Sequence, residues 1–298
     1  EYLTKYTLTV ATTLKSSAGG NLLSPLSLQL QTPIDSSDKF PRISDDELLD
    51  LVQRNTLKYF TGLAHPVSGM ARERSSSGDI VTTGGTGFGI MAIITGIHRG
   101  FISRSQGVEQ VAKIASFLKN NADKYHGAFA HWINGSTGAT VPFSTKDNGA
   151  DIVETSLLMQ GLLCAREYFQ GSGSEETNLR QVITELWEAV EWNWFTRNNE
   201  EVLYWHWSDQ YNWDMNLKIK GWNECLITYV LAASSPSHPI SASVYDKGWA
   251  SEGGMKNGNS YYGYTLPLGP VLGGPLFWSQ YSFMGINPIG LKDKYADY

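Results

Sequence analysis

The chain has 298 residues, a formal net charge of −6 and 17% charged residues, which is long enough for one large hydrophobic core. Acidic and basic residues are scattered without a basic run, and this distribution argues against nucleic acid and membrane surfaces as partners. No stretch of about 18 apolar residues occurs, so no transmembrane helix is expected. The two cysteines lie in apolar stretches and are expected to be buried free thiols.

Residues 1–42 are rich in Ser, Thr, Leu and Pro without helical periodicity, and they predict an irregular arm or a short strand pair before a main domain at 43–298. The first helix is predicted to follow Ser44 and to end near residue 62, because Ser44 and Glu47 have the spacing of a capping box. Further helices are predicted after TTGGTGFG near residue 86 and at about 103–121, 150–170, 176–195 and 221–234.

Long polar and aromatic connections separate these helices, for example 123–149 and 196–220, and loops of such length are usually functional. The sequence lacks the alternation of strands and helices that is typical of a parallel sheet. The pattern therefore predicts an all-α body. Helices paired around an axis would make an α/α toroid, with the long loops gathered at one end.

Three carboxylates, Asp147, Asp151 and Glu154, occur in DNGADIVE at the start of a predicted helix. Spacings of four and three place side chains on one helical face, so the three acids are expected to crowd a single patch. Two interpretations remain open. The acids form a functional surface, or they stabilise the positive end of the helix with Asp147 as its cap.

A fourth carboxylate, Glu224, follows Trp222 and Asn223 before another apolar helix. Burial against Trp222 would raise its pKa and suit a general acid, whereas backbone N–H groups at a helix start would lower it. One protonated and one ionised carboxylate are the minimum equipment for glycoside hydrolysis.

Tryptophan is the compositional outlier, because seven of the ten fall between residues 187 and 222. Flat rings with a polar edge serve as platforms for sugars, although they also fill cores. We expect core packing for most of these rings and a ligand role for two or three.

Other motifs give weaker indications. The six histidines show no metal-binding spacing and no CxxC occurs, so no metal site is expected. TTGGTGFG lacks the lysine and the spacing of a phosphate loop and predicts a tight approach between a helix and a loop. Arg72, Glu73 and Arg74 near His65 predict an ion-paired structural cluster or, alternatively, a substrate contact.

Seven motifs follow one another along the chain. They are AHPVSGMARER (64–74), TTGGTGFGIMA (82–92), DNGADIVETSLLMQGLL (147–163), YWHWS (204–208), IKGWNE (219–224), SSPSHPI (234–240) and GGPLFWSQYSFMG (273–285). In this order they resemble the glucoamylase-like domain of bacterial glycoside hydrolases, a group that includes endo-β-1,2-glucanases. The resemblance covers about residues 43–298.

The resemblance implies an (α/α)6 barrel and inverting hydrolysis of β-1,2-glucan without a metal or cofactor. It also implies a periplasmic or extracellular enzyme, for instance a surface lipoprotein whose signal is absent from this chain, and we expect a monomer. Asp147, Asp151, Glu154 and Glu224 fall on the acidic positions of the family, with Glu224 as the general acid and the base unassigned. The residues expected to bind glucan are Trp205, His206, Trp207, Tyr211, Trp213, Trp222, Asn223, Arg72, His131, Gln280 and Tyr281.

Three departures from the family pattern affect these expectations. Family members are usually longer and their pattern continues past GLKDKYADY, so an incomplete barrel that is inactive on its own is one expectation. Ala150 stands where Gly is usual, and Gln280 where His is expected. The competing hypotheses are a glycan-binding protein without catalysis, a glucan transglycosylase and a glucoamylase-type α-glucan hydrolase.

Overall fold

Helices account for most of the regular structure in a computed structural model that describes residues 1–298. The α-helices are α1 (Asp45–Thr61), α2 (Thr83–His98), α3 (Arg104–Asn120), α4 (Ile152–Tyr168), α5 (Ser174–Glu188), α6 (Leu226–Ser234) and α7 (Ala242–Lys247). The strands are β1 (Lys5–Val10), β2 (Leu26–Gln31), β3 (Ile80–Thr82), β4 (Trp132–Asn134), β5 (Thr140–Val141), β6 (Ala150–Asp151), β7 (Leu203–Tyr204), β8 (His206–Trp207), β9 (Lys218–Ile219), β10 (Ser260–Tyr261) and β11 (Tyr264–Thr265). None of the helices has the length and apolar character needed to span a membrane.

The chain divides into two compact units, Glu1–Asp50 and Leu51–Tyr298. In the first unit, β1 and β2 form an antiparallel pair with Leu8 opposite Leu28. Side chains alternate between the two faces of a strand pair. One face of this pair is therefore apolar, and the other carries Thr, Ser, Gln and Lys. Of the two structures expected for this segment, the strand pair is the one present.

The start of α1 has the predicted capping box. The Ser44 N–H donates to Glu47 Oε2 at 2.8 Å, and the Glu47 N–H donates to Ser44 Oγ at 3.3 Å. Each residue thus satisfies a backbone donor that the helix leaves unpaired. A second capping box joins Ser103 and Gln106 at the start of α3, so the prediction of a helix over about 103–121 is confirmed.

Helices α2 and α4 make the most extensive helix–helix contact of the second unit. A Cβ atom at Gly87 would lie 2.1 Å from the carbonyl oxygen of Leu157, and one at Gly161 would lie 2.2 Å from the carbonyl oxygen of Gly87. The glycine-rich motif therefore lies inside α2, and the predicted approach to a loop is wrong. The glycines permit direct contact between the backbones of two helices.

Two other helices begin or end differently from their predictions. Helix α5 ends at Glu188, and Trp192–Thr196 forms a separate short 3-10 helix. Helix α6 begins only at Leu226, because Asn223 Oδ1 accepts a hydrogen bond from the Cys225 N–H and forms a turn that competes with helix formation. Neither cysteine is in a disulfide; Cys225 is buried, and Cys164 is partly exposed.

The short strands of the second unit pair only antiparallel, and the β3–β4 and β6–β8 pairings join segments that are distant in sequence. They form the three-stranded set β3–β4–β5 and the pairs β6–β8, β7–β9 and β10–β11. The β6–β8 pair brings the start of α4 to the aromatic segment near residue 206, with Asp151 directly opposite His206. This pairing positions the candidate site.

Candidate active site

Asp151 caps α4 and is almost completely buried, with 1% of its surface exposed. Its Oδ1 accepts hydrogen bonds from the N–H groups of Val153 at 3.0 Å and Glu154 at 2.9 Å. Its Oδ2 lies 3.2 Å from His131 Nδ1. Both carboxylate oxygens are therefore engaged. The helix-capping interpretation applies to Asp151 and is wrong for Asp147.

Asp147 lies in the loop before β6 and outside α4, so the three acids do not share one helical face. The Phe143 N–H donates to the Asp147 carbonyl at 2.9 Å and fixes this loop. Asp147 Oδ1 lies 3.2 Å from Nε2 of the buried His206, although this contact lacks hydrogen-bond geometry and both ring nitrogens stay unpaired. The acids are brought together by the cap of α4 and by the β6–β8 strand pair, and not by helical periodicity.

Glu154 occupies the first turn of α4 and reaches across to α2. Its Oε2 accepts a hydrogen bond of 2.8 Å from the Gly84 N–H. Burial is the main cause that raises the pKa of Glu154 to about 7, and the negative charges of Asp151 and Glu224 add to it. His131 and the Gly84 N–H act in the opposite direction. Glu154 thus exchanges its proton near neutral pH.

His131 supplies a positive charge to this group of acids. Burial alone lowers its pKa, but the hydrogen bond to Asp151 and the charges of Glu154, Asp151 and Asp147 outweigh burial and raise the pKa to about 8. Its ring packs against Phe143 with a centroid distance of 4.3 Å. The imidazolium form is therefore favoured at neutral pH.

Glu224 lies in the turn before α6 and is partly buried. Burial is the main cause that raises its pKa, a hydrogen bond from its own backbone opposes this shift, and the charge of Asp151 adds to it. Its backbone carbonyl accepts a hydrogen bond of 2.7 Å from Ser282 Oγ, which holds the turn in place. The direction of the pKa shift is the one predicted for a general acid.

The donor atoms of His131, Asp147 and Asp151 lie within 4.8 Å of one another, a spacing that raises the question of a cation. Both oxygens of Asp151 already accept hydrogen bonds. A protonated imidazole has no free nitrogen lone pair for a metal. We therefore assign these residues to a network of hydrogen bonds and charges, in which His131 and His206 contact the acids.

Several of the predicted glucan-binding rings pack against other aromatic rings. Trp207 follows His206 on β8 and so points to the opposite face of the β6–β8 pair. Its ring lies 4.9 Å from His126 and 5.9 Å from Trp194. Trp213 contacts Trp194 at 6.3 Å as well as Phe195 and Tyr204. Both tryptophans are partly buried and pack against the hydrophobic core, and their contact with glucan stays a prediction.

Other predicted contacts also have structural partners. Trp222 stacks on Tyr298 at 6.3 Å. The Trp205 carbonyl accepts a hydrogen bond of 3.0 Å from the Ile152 N–H at the start of α4. Asn223 forms the turn before α6 described above. The Tyr211 N–H donates to Ser208 Oγ at 3.0 Å. The structure therefore gives these residues roles in holding the surrounding loops.

The basic segment at 72–74 has the structural partners that its sequence predicted. Glu73 and Arg74 form an ion pair at 2.5 Å, and His65 Nε2 lies 3.1 Å from Asp79 Oδ1. Arg72 donates to the backbone carbonyls of Leu63 and Gly78. None of the described bonds of Arg72 involves the four acids.

Gln280 and Tyr281 line a separate apolar cavity of about 830 Å³, together with residues of α1 and α2 such as Phe60 and Phe88. The Tyr281 ring lies 4.6 Å from that of Phe88, and its carbonyl accepts a hydrogen bond of 3.0 Å from Gln160 Nε2. Tyr281 thus has packing partners, whereas Gln280 is exposed at the cavity, and contact of either residue with glucan stays a prediction.

The sequence did not reveal two participants of the site, Gly84 and Phe143. Gly84 contributes a backbone N–H to the site. The sequence feature that could have pointed to it is the run of glycines at the start of α2. Phe143 is 48% exposed and packs against the ring of His131. The sequence feature that could have pointed to Phe143 is its position four residues before Asp147, in a loop predicted to be functional.

A family model described as "Putative glucoamylase" matches residues 216–298. The chain is 46% identical over 283 residues to a curated exo β-1,2-glucooligosaccharide sophorohydrolase (non-reducing end) of Parabacteroides distasonis, covering 88% of this chain and 39% of the relative.

Solved structures agree with this match. A putative glucoamylase from Bacteroides uniformis superposes with a TM-score of 0.84 at 54% identity, covering 87% of this chain and 63% of that one. An endo-β-1,2-glucanase from Chitinophaga pinensis, in complex with sophorotriose and glucose, superposes with a TM-score of 0.82 at 50% identity, covering 86% and 64%. This chain thus spans about two fifths of the curated relative and under two thirds of these two structures. The match of residues 216–298 to the family model and these superpositions agree with the resemblance to the glucoamylase-like domain that the sequence motifs indicated.

Proposed function

We propose that the chain is a glycoside hydrolase that cleaves β-1,2-glucan with inversion of configuration. The observation that carries this proposal is the convergence of Asp147, Asp151, Glu154 and Glu224, of which Glu154 and Glu224 have raised pKa values. An inverting glycosidase needs a carboxylic acid that stays protonated and a carboxylate that activates water. The names of the relatives support β-1,2-glucan as the substrate.

In this proposal Glu224 protonates the leaving oxygen, because it is partly exposed and burial favours its protonated form. Asp151 is only 1% exposed, and its capping bonds and His131 engage both of its oxygens, so it offers little access to a water molecule. Water activation therefore falls to Asp147 or Glu154. The positive charge of His131 offsets the repulsion among the acids.

The finer features expected for the family belong to the same proposal. They are an (α/α)6 toroid, to which the α2–α4 pair would contribute, and a periplasmic or extracellular location. The support for the toroid is the mostly helical structure and the TM-scores with the family structures. The support for export is the family resemblance alone.

The test measures new reducing ends from linear β-1,2-glucan, with α-1,4-glucan as the comparison substrate. We expect Glu224→Gln to lower kcat by at least about a hundredfold, because general acid catalysis contributes about that much. Glu185→Gln is the matched control, since Glu185 pairs with Lys119 on the surface. Proton NMR of the first product should show the α-anomer.

Three results would contradict the proposal. Near-normal turnover by Glu224→Gln would remove that residue from the mechanism. Binding of β-1,2-gluco-oligosaccharides without new reducing ends would identify a glycan-binding protein. Longer oligosaccharides formed together with shorter ones would identify a transglycosylase.

A further inference from the structure

The N-terminus of α2 points at an acid of the candidate site. Helices leave their first N–H groups without internal partners, and a side chain at the N-cap usually accepts from one of them. Thr82 occupies the N-cap of α2, but its side chain makes no capping bond. The Thr83 N–H instead donates to the His131 carbonyl at 3.2 Å, and the Gly84 N–H donates to Glu154 Oε2 at 2.8 Å.

Glu154 is 70 residues from Gly84 in sequence, so this acid caps a helix other than its own. Asp151 caps α4, and Glu154, one turn later on α4, caps α2. The two caps fix neighbouring carboxylates by backbone donors. The N-terminal ends of two helices, both positive in their dipoles, thereby meet the acidic cluster.

Gly84 permits this bond because it has no side chain. A Cβ atom there would lie 2.5 Å from Glu154 Oε2 and 3.2 Å from Leu157 Cδ1. Real Cβ atoms do not approach an oxygen that closely, so a side chain at residue 84 would displace the carboxylate. The obstructed atom is the end of a flexible side chain, and the fold can therefore accommodate the change by moving Glu154.

We propose that Gly84 is a positioning residue, which fixes the place of the Glu154 carboxylate through its backbone N–H and its lack of a side chain. The importance of Gly84 for catalysis rests on the proposed function. The hydrogen bond between Gly84 and Glu154 is observed independently of that function. It assigns a role to the TTGGTGFG motif that the family resemblance left without one.

The charged groups that face Glu154 are Asp151 and Glu224, which raise its pKa, and His131, which lowers it. The Gly84 N–H is the uncharged group that also lowers it. Loss of this donor leaves burial and two negative charges opposed by His131 alone. We expect the pKa of Glu154 to rise further in a variant that lacks the bond.

The experiment compares Gly84→Ala with Gly96→Ala, a change in the same helix at which the added Cβ would lie 2.5 Å from Leu57 Cδ2. Both variants replace glycine by alanine in α2 and obstruct the end of one flexible side chain. The Glu154 carboxyl is titrated by carbon-13 NMR, with Glu154→Gln used to assign its signal. Kinetics on β-1,2-glucan are measured across pH in parallel.

We expect Gly84→Ala to raise the Glu154 titration midpoint and to lower kcat roughly tenfold to a hundredfold with little change in KM, since small displacements of catalytic groups have such effects. The limb of the pH profile that disappears in Glu154→Gln should shift to higher pH. Gly96→Ala should leave the midpoint and the profile unchanged. In a Glu154→Gln background, Gly84→Ala should cause little further loss of activity, because no carboxylate remains there for Gly84 to position.

An unchanged Glu154 midpoint in a folded Gly84→Ala protein would overturn the inference. Equal effects of Gly84→Ala in the presence and absence of the Glu154 carboxylate would overturn it as well. The NMR titration needs no substrate, so it decides the role of Gly84 even if the chain fails to cleave β-1,2-glucan.

Discussion

Replacing Asp151 by asparagine separates its two roles, because asparagine caps helices about as well as aspartate but carries no charge. The Oδ1 of asparagine can keep the bonds to the Val153 and Glu154 N–H groups. The partner of His131 then changes from a carboxylate to an amide. We expect the pKa of His131 to fall, since burial opposes its protonation and the strongest opposing contribution is the bond to Asp151.

The size of the effect follows from the pKa of His131, which is raised from 6.5 to about 8. A difference of about 1.5 units corresponds to about 2 kcal/mol, at about 1.4 kcal/mol per unit. The native state binds this proton more tightly than the unfolded state. The stabilisation is therefore complete below pH 6.5 and is lost as pH rises through about 8.

The assay is urea unfolding at pH values below 6.5 and above 8, together with proton NMR titration of the His131 ring. The wild-type free energy of unfolding should fall with pH by up to about 2 kcal/mol more than that of Asp151→Asn. Asp151→Ala, which also loses the cap, should be less stable than Asp151→Asn by about 1 kcal/mol. If His131 titrated at the same pH in wild type and Asp151→Asn, the assigned origin of its pKa shift would be wrong.

Three further outcomes are expected. Gly87→Ala should lower the free energy of unfolding, measured by urea titration, by about 3 kcal/mol or more, because its Cβ would meet the Leu157 carbonyl at 2.1 Å. Gly96→Ala obstructs only a side chain and should lower the free energy of unfolding by less. Tyr229→Phe should cost about 2 kcal/mol in thermal unfolding, since the buried hydroxyl donates to the Ile219 carbonyl at 2.7 Å and accepts from the Leu203 N–H at 3.1 Å. In pH-rate measurements kcat/KM should decline on the alkaline side as Glu224, whose pKa is raised by burial, loses its proton. A value of kcat/KM that stays constant up to pH 10 would contradict the role of Glu224 as general acid.

The sequence predicted elements whose signals are local. The capping box at Ser44 marked the start of α1, because a cap depends on residues three positions apart. Helix α3 was predicted from its apolar periodicity, and its capping box at Ser103 became evident only in the structure. The mostly helical class and the absence of parallel pairing followed from periodicity. The start of α6 was missed because a turn at Asn223 delays the helix.

The acids of the site were predicted by their type and their motif, but not by their geometry. Helical spacing placed Asp147, Asp151 and Glu154 on one face, whereas only Glu154 lies within α4. Their convergence depends on Asp151 pairing opposite His206 and on the contact between His131 and Asp151. Contacts between residues so distant in sequence leave no periodic signal.

Tryptophans were harder to divide between core and ligand roles, because composition alone cannot show which face of a strand a ring occupies. The position of Trp207 was decided by its register in the β6–β8 pair. Its neighbour His206 points to the side of Asp151, and Trp207 points to the opposite side. A shift of one residue in register would have exchanged the two.

The contact between Gly87 and the α4 backbone has a consequence for how the site tolerates sequence change. Two helices separated by side chains can shift when a rotamer changes, but these two meet through main-chain atoms, and main-chain contacts have no rotamers. Substitutions on the outer surfaces of α2 and α4 should therefore leave the distance between Gly84 and Glu154 unchanged. The outer helical surface is free to vary for solubility or binding partners while the geometry of the acids is preserved.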